Sequence, residues 1–301
     1  MPPALPAARR RKRAPWRDRR GQISWFKSAV LAGCVAPGAV VAFWLATHDL
    51  GSRPIKAALL WIGLWTVRFV LIALAVTPAA QGLGWPQLTV VRRMVGVTAA
   101  VYALIHLTLY TIDENLRLGL VASEILHRFY LTIGFVALLG LAALSATSFD
   151  AAVRRMGRGW KRLHLLAYPI GALALLHFFI QSKANVGEPT AMAGLFTWLM
   201  LWRVLPATWR GHWAAVVPLA ALAGLATAGI EFAWYGIATG IDPWRVLAAS
   251  ETLRFGLRPA HWVVLLTLAA GLALALGRRA LGGGGRRRAG GTGARAGTAA
   301  A

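Results

Sequence analysis

The 301-residue chain is 57% apolar and 14% charged, against about 45–50% and about 25% in an average soluble domain, and its mean hydropathy is +0.57. These values exclude an ordinary water-soluble enzyme and call for surroundings as apolar as the chain, a lipid bilayer. The 33 Lys+Arg against 10 Asp+Glu give a net charge of +23, but basic residues clustered beside apolar runs mark the cytoplasmic side of a membrane, and no nucleic-acid partner is expected.

Residues 1–27 are rich in Pro, Ala and Arg, without periodicity, and read as a disordered basic tail. Arg9 to Arg20 resembles the basic start of a signal peptide. The apolar run behind it, 29–47, is long enough to span and has no convincing small-residue cleavage site, so it is predicted to remain as the first helix. It contains Cys34, the only cysteine, which excludes disulfides, CxxC pairs and cysteine zinc sites and reads as a small buried hydrophobe. Further apolar runs at 57–76, 94–112, 130–148, 163–181 and 191–207 complete a six-helix unit over residues 28–207. Two more, at 214–237 and 260–277, form a C-terminal extension over 208–277. Residues 278–301 are rich in Gly and Arg and read as a second disordered tail. The predicted fold class is all-α, a polytopic membrane bundle of about eight transmembrane helices.

Charge sets the direction. With the N-terminus cytoplasmic, 24 Lys+Arg fall on that side and 8 on the other, leaving Arg68 inside a span. Both termini are therefore expected in the cytoplasm, with membrane lipid as the surrounding partner. Trp25, Trp44, Trp160, Trp209, Trp213, Trp244 and Trp262 lie near predicted helix ends, as an aromatic belt at headgroup level requires. No far-side loop is long enough to fold as a domain, so soluble chemistry must come from a partner.

Of seven histidines, His48, His127, His212 and His261 lie at or outside span ends. His106 and His177 lie deep inside the third and fifth spans, where an ionisable side chain signals function. Both spans enter from the cytoplasm. His106 is six residues and His177 four residues from the far end, so their depths differ by about 3 Å. Two imidazoles at one level are what bis-histidine ligation of a haem iron needs; two such histidines also suit a metal ion or a proton relay. His164 is 13 residues before His177, about 20 Å nearer the cytoplasm, and on an ideal helix its ring points about 140° away. Thirteen or fourteen residues before His106 stand Arg93 and Arg92, not histidine; arginine there suits a haem propionate, a flavin phosphate or a lipid headgroup. Arg68, in mid-span, needs a partner such as a propionate, a quinone oxygen or a buried carbonyl.

These residues carry a resemblance. Val91-Arg92-Arg93-Met94-Val95-Gly96, Tyr102 and His106-Leu107-Thr108-Leu109-Tyr110 resemble the third helix of the MsrQ (formerly YedZ) family. Leu74 to Pro78, Arg128 to Gly134 and the run Ser145 to Lys183, including Trp160, His164, Tyr168 and His177, match it too. The similarity spans roughly residues 44–206, in the wider ferric-reductase-like transmembrane group. It implies b-type haem on His106 and His177, with His164 serving a second haem if there are two. It also implies FMN, electrons from the quinone pool of a bacterial inner membrane, and a periplasmic molybdenum-containing methionine-sulfoxide reductase as partner. Phe129 departs from the family's usual Pro, and residues 208–301 are additional. Glu231, near the far face of the extension, is a candidate partner contact. The expected function is an electron-transfer subunit rather than the catalytic subunit; the alternative is a haem-carrying or scaffold protein that anchors another partner without oxidising quinol.

Overall fold

The computed structural model describes residue 16 and residues 22–183, 185–210, 212–252 and 256–289, with side chains to residue 277. Among them the regular elements are twelve α-helices and one 3-10 turn. Seven segments are long and apolar enough to cross a membrane, which makes this a multi-pass membrane protein. The first is α1 (Trp25–Ala46), capped by the Ser24 hydroxyl, which accepts from the Lys27 N–H. It is followed by α2 (Pro54–Gly82) and, after a 3-10 turn at Pro86–Leu88, by α3 (Thr89–Asp113). A ten-residue helix absent from the sequence expectations, α4 (Leu118–His127), crosses the end where α3 finishes, hereafter the far end. Glu124 pins it there, accepting from the Tyr110 hydroxyl and pairing with Arg128 at 2.6 Å.

The next span is α5 (Phe129–Ala146). At the opposite, near end lie α6 (Asp150–Met156) and α7 (Arg158–His164), separated by Gly157 at φ +52°, a backbone region that favours glycine. The predicted continuous helix over 163–181 is in fact broken. α7 stops at His164 and α8 (Ala167–Ser182) starts three residues later, with Pro169 in its first turn, where a missing N–H costs nothing. The 140° rotation expected between His164 and His177 therefore does not apply.

The predicted span 191–207 is α9 (Gly187–Val204), 18 residues with Glu188 and Arg203 near its two ends. Val186, Pro189 and Thr190 are almost fully buried, so α9 starts inside the bundle. The extension adds α10 (Trp213–Ala238), the short α11 (Pro243–Ser250) and α12 (Pro259–Ala289). The last helix continues to Ala289, past the expected end at residue 277. Residues 290–301 of the expected C-terminal tail, and residues 1–15 and 17–21 of the N-terminal one, lie outside the described residues.

Two helix pairs form the centre: α2 against α3, and α5 against α8, with α3 touching α5. α9, α10 and α12 pack beside them through small residues. A Cβ at Gly194 would lie 2.1 Å from the Thr227 hydroxyl, and one at Gly224 2.3 Å from Val264. α1 is held by Tyr102, whose hydroxyl donates to Cys34 O (2.9 Å) and accepts from Gly38 N (2.8 Å). The phenol oxygen thus bridges the Gly38 N–H and the Cys34 carbonyl of α1, next to Pro37. Cys34 is buried, as expected. Trp25, Trp209, Trp213, Trp244 and Trp262 are exposed, while Trp44 and Trp160 are half-buried.

Candidate functional site: two imidazoles held by two helix pairs

His106 and His177 come together although 71 positions separate them. Their ring centroids are 6.3 Å apart, with planes at 86°. Each ring is fixed by a carbonyl on the neighbouring helix: His106 Nδ1 lies 2.9 Å from Leu59 O, and His177 Nδ1 lies 2.8 Å from Tyr130 O. A carbonyl only accepts, so each Nδ1 carries the proton and each Nε2 keeps its lone pair. That is the orientation metal-ligating histidines take when a backbone carbonyl holds the other nitrogen.

The approach is close because the opposing helices carry glycine. A Cβ at Gly63 would fall 2.7 Å from His106 ring atoms, and one at Gly134 2.7 Å from His177 Nδ1. Both histidines bond a carbonyl 47 residues earlier, and in both halves the glycine stands four residues after that carbonyl. Leu59, Gly63 and His106 thus recur 71 positions later as Tyr130, Gly134 and His177. Thr77 and Arg93 recur at the same offset as Ser148 and His164. The site is therefore built from two copies of one helix-pair device. Depth comparison alone found the histidines; a search for a repeated offset would have found the glycines too.

The group expected here can be tested against this geometry. An imidazole nitrogen binds a metal at roughly 2.0–2.1 Å, and the ring centre lies about 1.1 Å behind it, so two rings on opposite sides of one metal have centres about 6.3 Å apart. The observed 6.3 Å meets that requirement. Among the described residues no group of three His, Cys, Asp or Glu side chains is placed to hold a metal ion. A metal here would take two protein ligands and the rest from an organic group, which fits a porphyrin iron with two axial imidazoles.

The other expected site residues lie elsewhere. His164 is at the near end, its Nδ1 3.1 Å from Trp160 O, its Nε2 3.4 Å from the Ser148 hydroxyl, and its ring stacked on Trp160 at 3.9 Å. Arg93 pairs with Asp150 at 2.8 Å, and Arg92 donates to the Thr77 hydroxyl at 3.2 Å. These contacts bring both arginines to the near-end corner that holds His164. No second imidazole faces His164 among the described residues; Arg93 occupies the equivalent position in the other half. Arg68 has a protein partner, Glu188 of α9, at 2.5 Å, and its guanidinium lies 4.9 Å from the centre of the Trp65 ring. Glu231 pairs with Arg258 at 2.5 Å inside the extension, with its side chain 3% exposed.

Helices crossing a membrane with a facing histidine pair at one depth define the class, a ferric-reductase-like membrane protein. Residues 59–176 match the family described as ferric reductase like transmembrane component. The chain belongs to the MsrQ family. It is 41% identical over 185 residues to the protein-methionine-sulfoxide reductase heme-binding subunit MsrQ of Xanthomonas campestris (strain 8004), covering 59% of this chain and 85% of that one. The protein of the same name from Rhodospirillum rubrum is 38% identical over 196 residues, covering 64% of this chain and 92% of its own length. No solved structure matches.

Proposed function

We propose that the chain is a haem b electron-transfer subunit in a bacterial inner membrane, carrying electrons from the quinone pool to a periplasmic molybdenum-dependent methionine-sulfoxide reductase. The observation that carries this reading is the pair of carbonyl-held imidazoles 6.3 Å apart. The relatives' names speak of heme binding and of methionine-sulfoxide reduction, and support the haem and the reductase partner. A haem held by His106 and His177 would supply one-electron redox chemistry. The chain's own work is positional. Leu59 and Tyr130 hold the Nδ1 protons, Gly63 and Gly134 admit the rings, and the apolar helices keep water from the metal. α4 lies at the far end, held to α3 by Glu124 and the Tyr110 hydroxyl, on the side where the partner would dock.

At the near end, Arg92 and Arg93 are the cations suited to a haem propionate or to the phosphate of FMN, the second cofactor implied by the resemblance. His164 would help to hold a second haem, or would sit beside the route of electrons from the near face. The full-length protein in detergent, mixed with a short-chain quinol, should develop the paired visible bands of low-spin ferrous haem. Bands that form with dithionite but never with quinol would contradict the donor; no bands under either reductant would contradict the haem.

A further inference from the structure

A charged side chain in mid-span costs roughly 2.5–3.5 kcal/mol to insert. Arg68 stands near the middle of the 29-residue α2. Its pairing with Glu188 offsets part of that cost, yet the two side chains remain 32% and 45% exposed. Hydrocarbon chains offer no hydrogen bonds to such a surface. A guanidinium has five N–H donors and a carboxylate about four acceptor positions, but a single hydrogen bond joins the two. Both keep capacity toward the exposed side, and the pair presents a donor and an acceptor next to each other.

The adjoining wall is aromatic. Trp44, Trp61, Trp65, Phe69 and Tyr102 form a continuous row, with successive centroids 5.0, 6.2, 5.5 and 5.0 Å apart. The guanidinium lies against Trp65, whose indole N–H is buried and has no hydrogen-bond partner among the described residues. Trp65 under the guanidinium and Trp61 next to it are half-buried, and their ring surface beside a strong donor and a strong acceptor suits a lipid-soluble molecule bearing oxygens. Arg68 lies five residues along α2 from Gly63, the residue that His106 packs against, so the pair stands about 7–8 Å along the helix from the imidazole site.

We propose that Arg68 and Glu188 bind the oxygenated head of a lipid-soluble quinone or quinol, with its ring along the Trp65 side of the row. The Arg68 guanidinium donates to a quinone carbonyl, and the Glu188 carboxylate accepts from a quinol hydroxyl, so one pair holds both oxidation states. The assignment deepens the electron-transfer reading above and rests on it for the purpose of the site, while its geometry stands on the α2–α9 contact and Trp65, apart from the haem.

The test is equilibrium dialysis of the full-length protein in detergent with ubiquinone-1, a benzoquinone with one isoprene unit, and with its quinol. Wild type should bind saturably at one site. Arg68→Leu should weaken binding of both forms by at least about tenfold, equivalent to about 1.4 kcal/mol, and Glu188→Gln should weaken the quinol more than the quinone. The visible haem spectrum of each variant should match wild type, which also shows that the variant has folded. If Arg68→Leu fails to accumulate, Glu188→Gln carries the test through its quinol-selective loss. Absent saturable binding, equal affinity in wild type and both variants, or displacement of the quinone by phosphatidylglycerol at equal concentration would overturn the proposal. A normal haem spectrum with any of these results leaves the haem reading standing. Arg68-dependent quinone binding in a protein without the haem spectrum supports this site and removes the haem reading instead.

Discussion

Gly63 and Gly134 face the two histidines on the far side of each ring from the gap, and neither has a turn or a positive φ to explain it. Their role is clearance. A methyl group at either position would stand 2.7 Å from ring atoms, below any contact real Cβ atoms make, so the ring must move off its carbonyl. Because an axial ligand has a narrow range of distance and direction, Gly63→Ala and Gly134→Ala should each convert the low-spin haem spectrum to a five-coordinate one, with the protein still accumulating in the membrane. Ala at Gly96 or Gly159, which meets nothing within 4 Å, is the control and should leave the spectrum unchanged. An unaltered spectrum in both site variants would mean that the rings have slack that the structure does not show.

Among the described residues, one ion pair ties elements of the extension together. Glu231 of α10 and Arg258, just before α12, meet at 2.5 Å with side-chain exposures of 3% and 22%. Removing one partner of a buried pair costs roughly 3–5 kcal/mol, whereas replacing both with apolar groups of similar size is often nearly neutral. Arg258→Leu should therefore lower the denaturant midpoint of the detergent-solubilised protein sharply, and adding Glu231→Leu should restore most of it. A double variant as weak as the single one would place the cost in packing instead of charge. Glu231 was read from sequence as a candidate partner contact; inside the bundle its carboxylate faces Arg258. Elements built on long apolar runs were legible, since span length and hydropathy are local properties. α4 was not, because ten amphipathic residues between charged turns look like a loop. The buried start of α9 was missed for a similar reason: Gly187-Glu188-Pro189-Thr190 reads as a connection, and its burial depends on residues distant in sequence, among them Phe179 of α8 and Ile230 and Trp234 of α10. The Arg68–Glu188 pair joins residues 120 positions apart, and no periodicity reports that.

At the scale of the whole molecule, two helix pairs of one design meet at the imidazoles, and a third group, α9, α10 and α12, leans on one flank. The histidine pairing was legible because two buried ionisable groups at one depth form a global constraint. The carbonyl anchors were not, because a backbone acceptor leaves no mark in composition. The 24-to-8 division of Lys+Arg predicts both termini in the cytoplasm. A reporter active only in the periplasm should then work when fused after residue 120 or 185 and be silent after 156 or 285; the opposite pattern would reverse the electron path. The central claim is that His106 and His177 are the two axial ligands of one haem, and it is tested most directly by the reduced-minus-oxidised visible spectrum of three single variants in the same membranes. His106→Ala and His177→Ala should each abolish the low-spin bands of that haem, while His164→Ala, at the other end of the bundle, should retain them and lose at most a second component. Low-spin bands persisting in His106→Ala, or lost completely in His164→Ala, would contradict the account.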